Sequence, residues 1–86
     1  MAQVEIYTKM FCGFCVRAKE LLKRKEIEFT EYGVDGGGPK KDEMVERAGG
    51  RTTVPQIFIG NKHVGGCDEL MALEREGKLD TLLARA

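Results

Sequence analysis

The sequence has no net charge, no long apolar run and no recognisable leader segment. Its 14 basic residues balance 14 acidic ones, which argues against a dedicated surface for nucleic acid or an anionic membrane. No apolar run approaches the roughly 20 residues that a membrane-spanning helix needs. The first residues lack the basic segment and apolar stretch of a secretory signal. We therefore expect a cytoplasmic protein without nucleic-acid or membrane partners.

Cysteine is also scarce, at three residues in a chain of 86. Three is an odd number, and it is too few for the disulfide framework that holds many small secreted domains. In a reducing cytosol, paired cysteines are more often catalytic than structural. The fold must then rest on its apolar core alone. The length predicts a single domain over residues 1–86, with a thin core and amphipathic helices.

The hydrophobic pattern predicts an alternation of strands and helices. Period-two and short apolar runs indicate strands, and i, i+4, i+7 spacing indicates helices. The expected strands are 3–8, 27–32, 56–59 and 62–64, and the expected helices are 13–25, 39–48, 68–76 and 80–84. The first three elements form a β-α-β unit, which favours parallel pairing, while Gly60-Asn61 suits a hairpin turn. The prediction is an α/β fold, with a four-stranded mixed sheet and helices on both faces.

The motif that carries chemistry is Cys12-Gly13-Phe14-Cys15, at the junction of the first strand and first helix. A sulfur at the helix start can face unpaired backbone N–H groups, here those of Phe14 and Cys15, and the positive end of the helix dipole. Lys9 adds a nearby cation, and all three features favour the thiolate. Cys15 lies one turn later and should be more buried, with a higher pKa. We expect Cys12 to attack and Cys15 to resolve.

Two ambiguities accompany this motif. Phe14 is either an exposed apolar wall beside Cys12 or a core residue, since it aligns with Ala18 on one helix face. A Cys-x-x-Cys can also be half of a zinc site, for which His63 and Cys67 are the remaining candidates. No second Cys-x-x-Cys exists in the sequence. We therefore favour redox chemistry and expect no bound metal ion on these grounds.

Three fragments in this order and spacing resemble the glutaredoxins, the glutathione-dependent branch of the thioredoxin superfamily. They are Thr8-Lys9-x-x-Cys12-Gly13-Phe14-Cys15, Thr53-Val54-Pro55 and Gly65-Gly66-Cys67-Asp68. The resemblance covers essentially the whole chain. It implies a thioredoxin-like fold and a cis-proline loop at Pro55 that faces the active-site cysteines.

The resemblance also implies a glutathione site. Backbone at Val54 would pair with the cysteinyl unit, and Gly66 and Asp68 would hold the γ-glutamyl end. Lys9, Arg51 and Gln56 are the candidates for the glycyl carboxylate. Cys67 is either a small pocket-lining residue or a third thiol open to glutathionylation. The predicted glutathione-binding set is Lys9, Phe14, Arg51, Thr53, Val54, Pro55, Gln56, Gly66, Cys67 and Asp68.

The implied activity is reduction of protein–glutathione mixed disulfides and protein disulfides, with glutathione as co-substrate. One departure from the commoner dithiol sequence is Gly13-Phe14 in place of proline and tyrosine. It resembles the monothiol branch, whose members commonly bind a [2Fe–2S] cluster between two subunits. The insertion typical of that branch is absent, and Cys15 keeps the dithiol route available.

The expected partners are glutathione and disulfide-containing or glutathionylated proteins. We expect a monomer, with a Cys12-ligated cluster and a dimer as the alternative.

Overall fold

A computed structural model describes residues 3–84. It contains four strands, β1 (Val4–Thr8), β2 (Thr30–Gly33), β3 (Gln56–Ile59) and β4 (Lys62–Gly65). Its four helices are α1 (Gly13–Arg24), α2 (Pro39–Arg47), α3 (Cys67–Arg75) and α4 (Leu79–Ala84). Within residues 3–84, no helix combines the length and the apolar character needed to cross a membrane.

The strands form one mixed sheet in the order β2-β1-β3-β4. β1 pairs with β2 in parallel, with Ile6 opposite Glu31. β1 and β3 are antiparallel, with Ile6 opposite Ile57, and β3 and β4 form the expected hairpin. The parallel pair confirms the β-α-β unit, because α1 provides the crossover that parallel strands require.

Apolar cores on both faces of the sheet hold the fold together. Alternate residues of a strand point to opposite faces, so Ile6 and Tyr7 enter different cores. The Ile6 core joins the sheet to α1, α3 and α4 through Leu22, Leu70 and Leu79. The second core joins it to α2 and contains Tyr7, Val34, Met44, Ala48 and Phe58. The prediction of helices on both faces of the sheet is therefore confirmed. Each fully buried large apolar side chain in these cores contributes about 1.5–3 kcal/mol to the stability of the fold.

A polar network at the edge of the second core ties α2 to β1. The Arg47 guanidinium donates to Tyr7 Oη at 2.7 Å and to Glu5 Oε1 at 2.9 Å. Tyr7 Oη in turn donates to the Glu43 carboxylate. The hydrogen bond from Arg47 is the main reason that the pKa of Glu5 lies below its ordinary value. These bonds give the buried Tyr7 hydroxyl the partners that burial requires.

The start of the second strand is a correction, since β2 begins at Thr30 and not at residue 27. The backbone before it completes α1 instead. Glu26 has a left-handed φ of 57°, its N–H bonds to Lys23 O, and the Ile27 N–H bonds to Leu22 O at 2.9 Å. These are the two bonds of a Schellman motif. Ile27 and Phe29 still pack on the core, so the apolar pattern indicated burial but not backbone conformation.

Candidate active site

Cys12 is the N-cap of α1, with extended backbone at φ −107° and ψ 108°. Its Sγ accepts a hydrogen bond from the backbone N–H of Cys15 at 3.2 Å. This is one of the two donors expected from the sequence, and it satisfies one of the N–H groups that a helix start leaves open. The Sγ also lies 3.9 Å from Val54 O, in the loop before β3. The nucleophile candidate therefore sits between α1 and the loop before β3.

Cys15 is the more buried member of the pair, at 2% exposure. The pKa of the Cys15 thiol is raised to about 12. Burial is the main cause, and the hydrogen bond with Cys12 is the second. Cys12 is partly exposed, and both sulfurs are free thiols. The two cysteines thus differ in access, and Cys15 is the more buried one, as the sequence predicted.

The loop before β3 carries a cis peptide bond between Val54 and Pro55. The Gln56 side chain holds this loop in place by hydrogen bonds. Its side-chain Nε2 donates to Thr53 O at 3.0 Å and to Thr53 Oγ1 at 3.3 Å. Its Oε1 pairs with His63 Nε2 at 2.7 Å. Because the amide nitrogen is used by Thr53, the histidine nitrogen is the donor in this last bond.

The start of α3 forms the opposite wall. The Glu69 carboxylate accepts from the Gly66 N–H at 2.6 Å and from Arg51 at 3.2 Å. The bond from Gly66 is the largest cause of the lowered pKa of Glu69. Gly65 must lack a side chain, since its φ is +117° and a Cβ there would lie 2.5 Å from Glu69 Oε1. Only glycine adopts such a φ readily.

Between these walls lies a cavity of about 260 Å³, which we call the groove. Eight of its lining residues belong to the predicted glutathione set, namely Phe14, Arg51, Thr53, Val54, Pro55, Gly66, Cys67 and Asp68. Phe14 is 55% exposed. It is thus an exposed apolar residue that lines the groove, and the alternative of a core position is wrong.

Two predicted residues do not reach the groove. Gln56 is fully buried, and both ends of its amide are used by Thr53 and His63, so its side chain is not available to a carboxylate in the groove. Lys9 lines a different cavity, on the side of Cys12 toward β2. The structure brings the other eight candidates together from three separated segments.

One groove residue was missed from the sequence. Glu69 lines the groove and links Gly66 to Arg51. The available signal was its position three residues after Gly66, at the start of a helix, which is the spacing of a capping box. His63 was also expected as an exposed strand residue, but it is partly buried, stacks on Phe58 with ring centroids 4.9 Å apart and bonds to Gln56.

The alternative zinc ligands are not assembled into one set. Within residues 3–84, no group of three or more histidine, cysteine or acidic side chains is arranged to hold a metal ion. Cys67 is buried in the groove wall, and burial is the main cause of the raised pKa of its thiol. The arrangement around Cys12 instead offers one accessible sulfur, a second sulfur behind it and an adjacent groove.

Comparisons with known proteins agree with this geometry. A sequence model of the family described as Glutaredoxin matches residues 4–64. Glutaredoxin 3 of Escherichia coli strain K12 is 57% identical over 83 residues, which cover 96% of this chain and 99% of that protein. The crystal structure of a buckwheat glutaredoxin–glutathione complex has a TM-score of 0.85 at 31% identity, covering 96% of this chain and 77% of that one. A solved structure named "Metal Binding of Glutaredoxins" has a TM-score of 0.72 at 56% identity, covering 96% and 89%.

The family model spans well over half of the chain, and the bacterial relative is similar along nearly its full length. The four-stranded mixed sheet, the paired cysteines at the start of α1 and the cis Val54–Pro55 bond are consistent with that similarity. This chain therefore belongs to the glutaredoxin family of glutathione-dependent thiol–disulfide oxidoreductases.

Proposed function

We propose that the chain reduces protein–glutathione mixed disulfides through Cys12, with glutathione held in the groove and Cys15 as the resolving thiol. The observation that carries this proposal is the position of Cys12 Sγ, 3.9 Å from Val54 O at the edge of the groove. A cysteinyl unit that pairs with the Val54 backbone would bring its sulfur beside Cys12. Extended backbone can add to such an edge as a short extra strand.

The remaining groove residues suit the ends of glutathione. Gly66 and Asp68 lie at the start of α3, where backbone N–H groups favour a carboxylate and Asp68 can accept from an ammonium group. Arg51 is half exposed and pairs with Glu69 at 3.2 Å, so its remaining N–H groups can bind the glycyl carboxylate. Phe14, Thr53, Pro55 and Cys67 supply contact area around the cysteinyl unit.

The reaction takes place in two exchanges. The Cys12 thiolate attacks the glutathione sulfur of the mixed disulfide, forming a Cys12–glutathione disulfide and releasing the protein thiolate, which takes up a proton. A second glutathione thiolate then attacks that glutathione sulfur, forming glutathione disulfide and returning the Cys12 thiolate. Because the pKa of Cys15 is about 12, very little of it is thiolate near neutral pH, and the attacking species is the thiolate. The Cys12–glutathione disulfide therefore persists long enough for the second glutathione to react.

With a protein disulfide as substrate, Cys15 completes the reaction. Cys12 attacks one sulfur of that disulfide and releases the other as a thiolate. Cys15 then loses its proton and attacks the Cys12 sulfur, forming the Cys12–Cys15 disulfide and freeing the second substrate thiol. Two glutathione molecules would reduce the pair again.

The test compares two substitutions on the mixed disulfide of glutathione and 2-mercaptoethanol. Cys12→Ser should abolish turnover, because it removes the attacking sulfur, while Cys15→Ser should retain a large part of it. Equal loss in both variants would contradict the assignment of roles. Turnover is measured with glutathione and glutathione reductase, and in parallel with thioredoxin reductase. If only thioredoxin reductase supported turnover, glutathione would not be the reductant of this protein.

A second candidate function is binding of a [2Fe–2S] cluster. The similarity to the metal-binding glutaredoxin structure favours it. A Cβ added at Gly13 would have no atom within 4 Å, so the space beside Gly13 is open. Since residues 3–84 offer no assembled set of three metal-ligating side chains, this chain would supply Cys12 alone and glutathione or a second chain the rest. An anaerobic preparation with cluster absorption that is lost in Cys12→Ser would support it, and a colourless one would not.

A further inference from the structure

The loop between β1 and α1 displays an aromatic side chain that the fold does not use. Phe11 is 100% exposed. Its φ is +56°, a left-handed conformation that non-glycine residues rarely adopt. The same loop is held in place by the Met10 N–H, which donates to Asp35 Oδ1 at 2.9 Å. An exposed aromatic side chain in a strained, anchored backbone indicates a functional contact.

Phe11 does not stand alone at this position. Met10 and Val16 are also large, apolar and exposed. Together with Phe11 they line a second cavity of about 260 Å³ that opens beside Cys12 on the side toward β2. We call these three residues the apolar wall. An exposed apolar cluster next to a reactive sulfur is the kind of surface that marks an interaction site.

Cys12 lies between the apolar wall and the groove, since it lines the second cavity and contacts Val54 of the groove. In the proposed reaction the groove is filled by glutathione. The protein half of a mixed disulfide must then leave the active site over a different surface. The apolar wall is the exposed apolar surface next to Cys12 on the side away from the groove.

We propose that the apolar wall is a subsite for the protein half of the substrate, and that Phe11 is its specificity-determining contact. The occupant is an extended protein segment with an apolar side chain next to its glutathionylated cysteine. The charged groups near the wall carry both signs, with Lys19 paired to Glu31 at 2.9 Å and Asp35 holding the loop. The subsite therefore selects for apolar contact more than for the charge of the segment. This inference rests on the proposed function of the groove.

The experiment uses three substrates and the full chain. Two are synthetic peptides with one glutathionylated cysteine, flanked by leucines in one and by serines in the other. The third is the mixed disulfide of glutathione and 2-mercaptoethanol, which is too small to reach the wall. The wild-type protein should prefer the leucine peptide by about tenfold in kcat/KM, the effect of partly burying one large apolar side chain.

The test variant is Phe11→Asn, because asparagine tolerates a left-handed backbone and preserves the loop. It should reduce the preference for the leucine peptide to about twofold or less, while turnover of the small mixed disulfide stays within twofold of wild type. The matched control is Phe11→Leu, which keeps an apolar side chain and should retain most of the preference. The unfolding midpoints of both variants show that the fold is intact.

Several outcomes would overturn the subsite. The wild-type protein could turn over the small disulfide but not distinguish the peptides, or Phe11→Asn could keep the full preference. Either result removes the subsite and leaves the function of the groove standing. A wild-type dimer in solution that Phe11→Asn dissociates would assign the wall to a second copy of this chain. Failure to turn over the small mixed disulfide would instead contradict the proposed function itself.

Discussion

Replacing Gly65 with alanine is expected to damage the wall of the groove by two separable effects. The first is conformational, because the φ of +117° at Gly65 is unfavourable for alanine and costs about 1–3 kcal/mol. The second is displacement of Glu69, whose Oε1 would lie 2.5 Å from the new Cβ. The carboxylate can swing away, but it then loses its bond to the Gly66 N–H and weakens its pair with Arg51.

The cost of displacing Glu69 is that of a helix cap, about 1 kcal/mol. The Arg51 pair adds little, since both side chains are nearly half exposed. The total is about 2–4 kcal/mol, which is a large part of the stability of a chain of this size. For such a chain, each 1 kcal/mol lowers the melting temperature by about 4–8 °C. Gly65→Ala should therefore lower it by about 10–30 °C.

The assays are thermal unfolding for the melting temperature and urea unfolding for the free energy. Both are followed by far-ultraviolet circular dichroism, since the sequence contains no tryptophan. The matched control is Gly77→Ala, at a φ of +72° with no atom within 4 Å of the added Cβ. It should lose about 1–2 kcal/mol through backbone conformation alone. In a Glu69→Ala background, Gly65→Ala should cost about 1 kcal/mol less than in the wild type. Strict additivity of the two substitutions would refute the role given to Glu69.

Two further predictions concern Gln56 and the acid stability of the fold. Gln56→Ala removes the hydrogen bonds that the buried Gln56 side chain makes with Thr53 and with the partly buried His63. At about 0.5–1.5 kcal/mol per bond, it should cost about 1–3 kcal/mol of unfolding free energy. It should also raise the KM for a glutathionylated substrate, and an unchanged KM would mean that Gln56 does not position the loop. The hydrogen bond from Arg47 lowers the pKa of Glu5. The stability that this pair contributes is therefore complete above the ordinary glutamate pKa of about 4.3. It is lost as the pH falls through the lowered pKa. Glu5→Gln should be less stable than the wild type at pH 7 and should lose less stability between pH 5 and pH 3, whereas parallel pH profiles would contradict this.

Much of the fold follows from local patterns. The period of the apolar residues predicted four strands and four helices, because a buried face imposes that period on each element. Gly60-Asn61 predicted the β3–β4 hairpin, and Pro39 marked the first residue of α2. The exception is residues 27–29, which do not belong to β2. Ile27 and Phe29 are partly buried against the core, but the Ile27 N–H bonds back to the end of α1. Local spacing does not reveal whether a backbone N–H bonds to a strand or back to a helix.

Eight of the ten predicted binding residues line the groove, and the positions of the other two share one cause. Gln56 was expected to meet a ligand, yet its amide bonds to Thr53 and to His63 on the next strand. Lys9 follows β1 and lines the cavity on the side of Cys12 toward β2. Each of these placements depends on which strand lies beside which.

The sequence by itself determined the unequal positions of the two cysteines. Cys12 precedes the first turn of a helix and Cys15 lies on its inner face, and both positions follow from local periodicity. Only the tertiary structure decided what surrounds them. The sheet order places the Val54 carbonyl 3.9 Å from Cys12 and joins three distant segments into the groove. It also leaves Phe11 in solvent with a left-handed backbone. The physical reason is that helix capping is a local interaction, whereas a groove is the product of contacts between residues far apart in the chain.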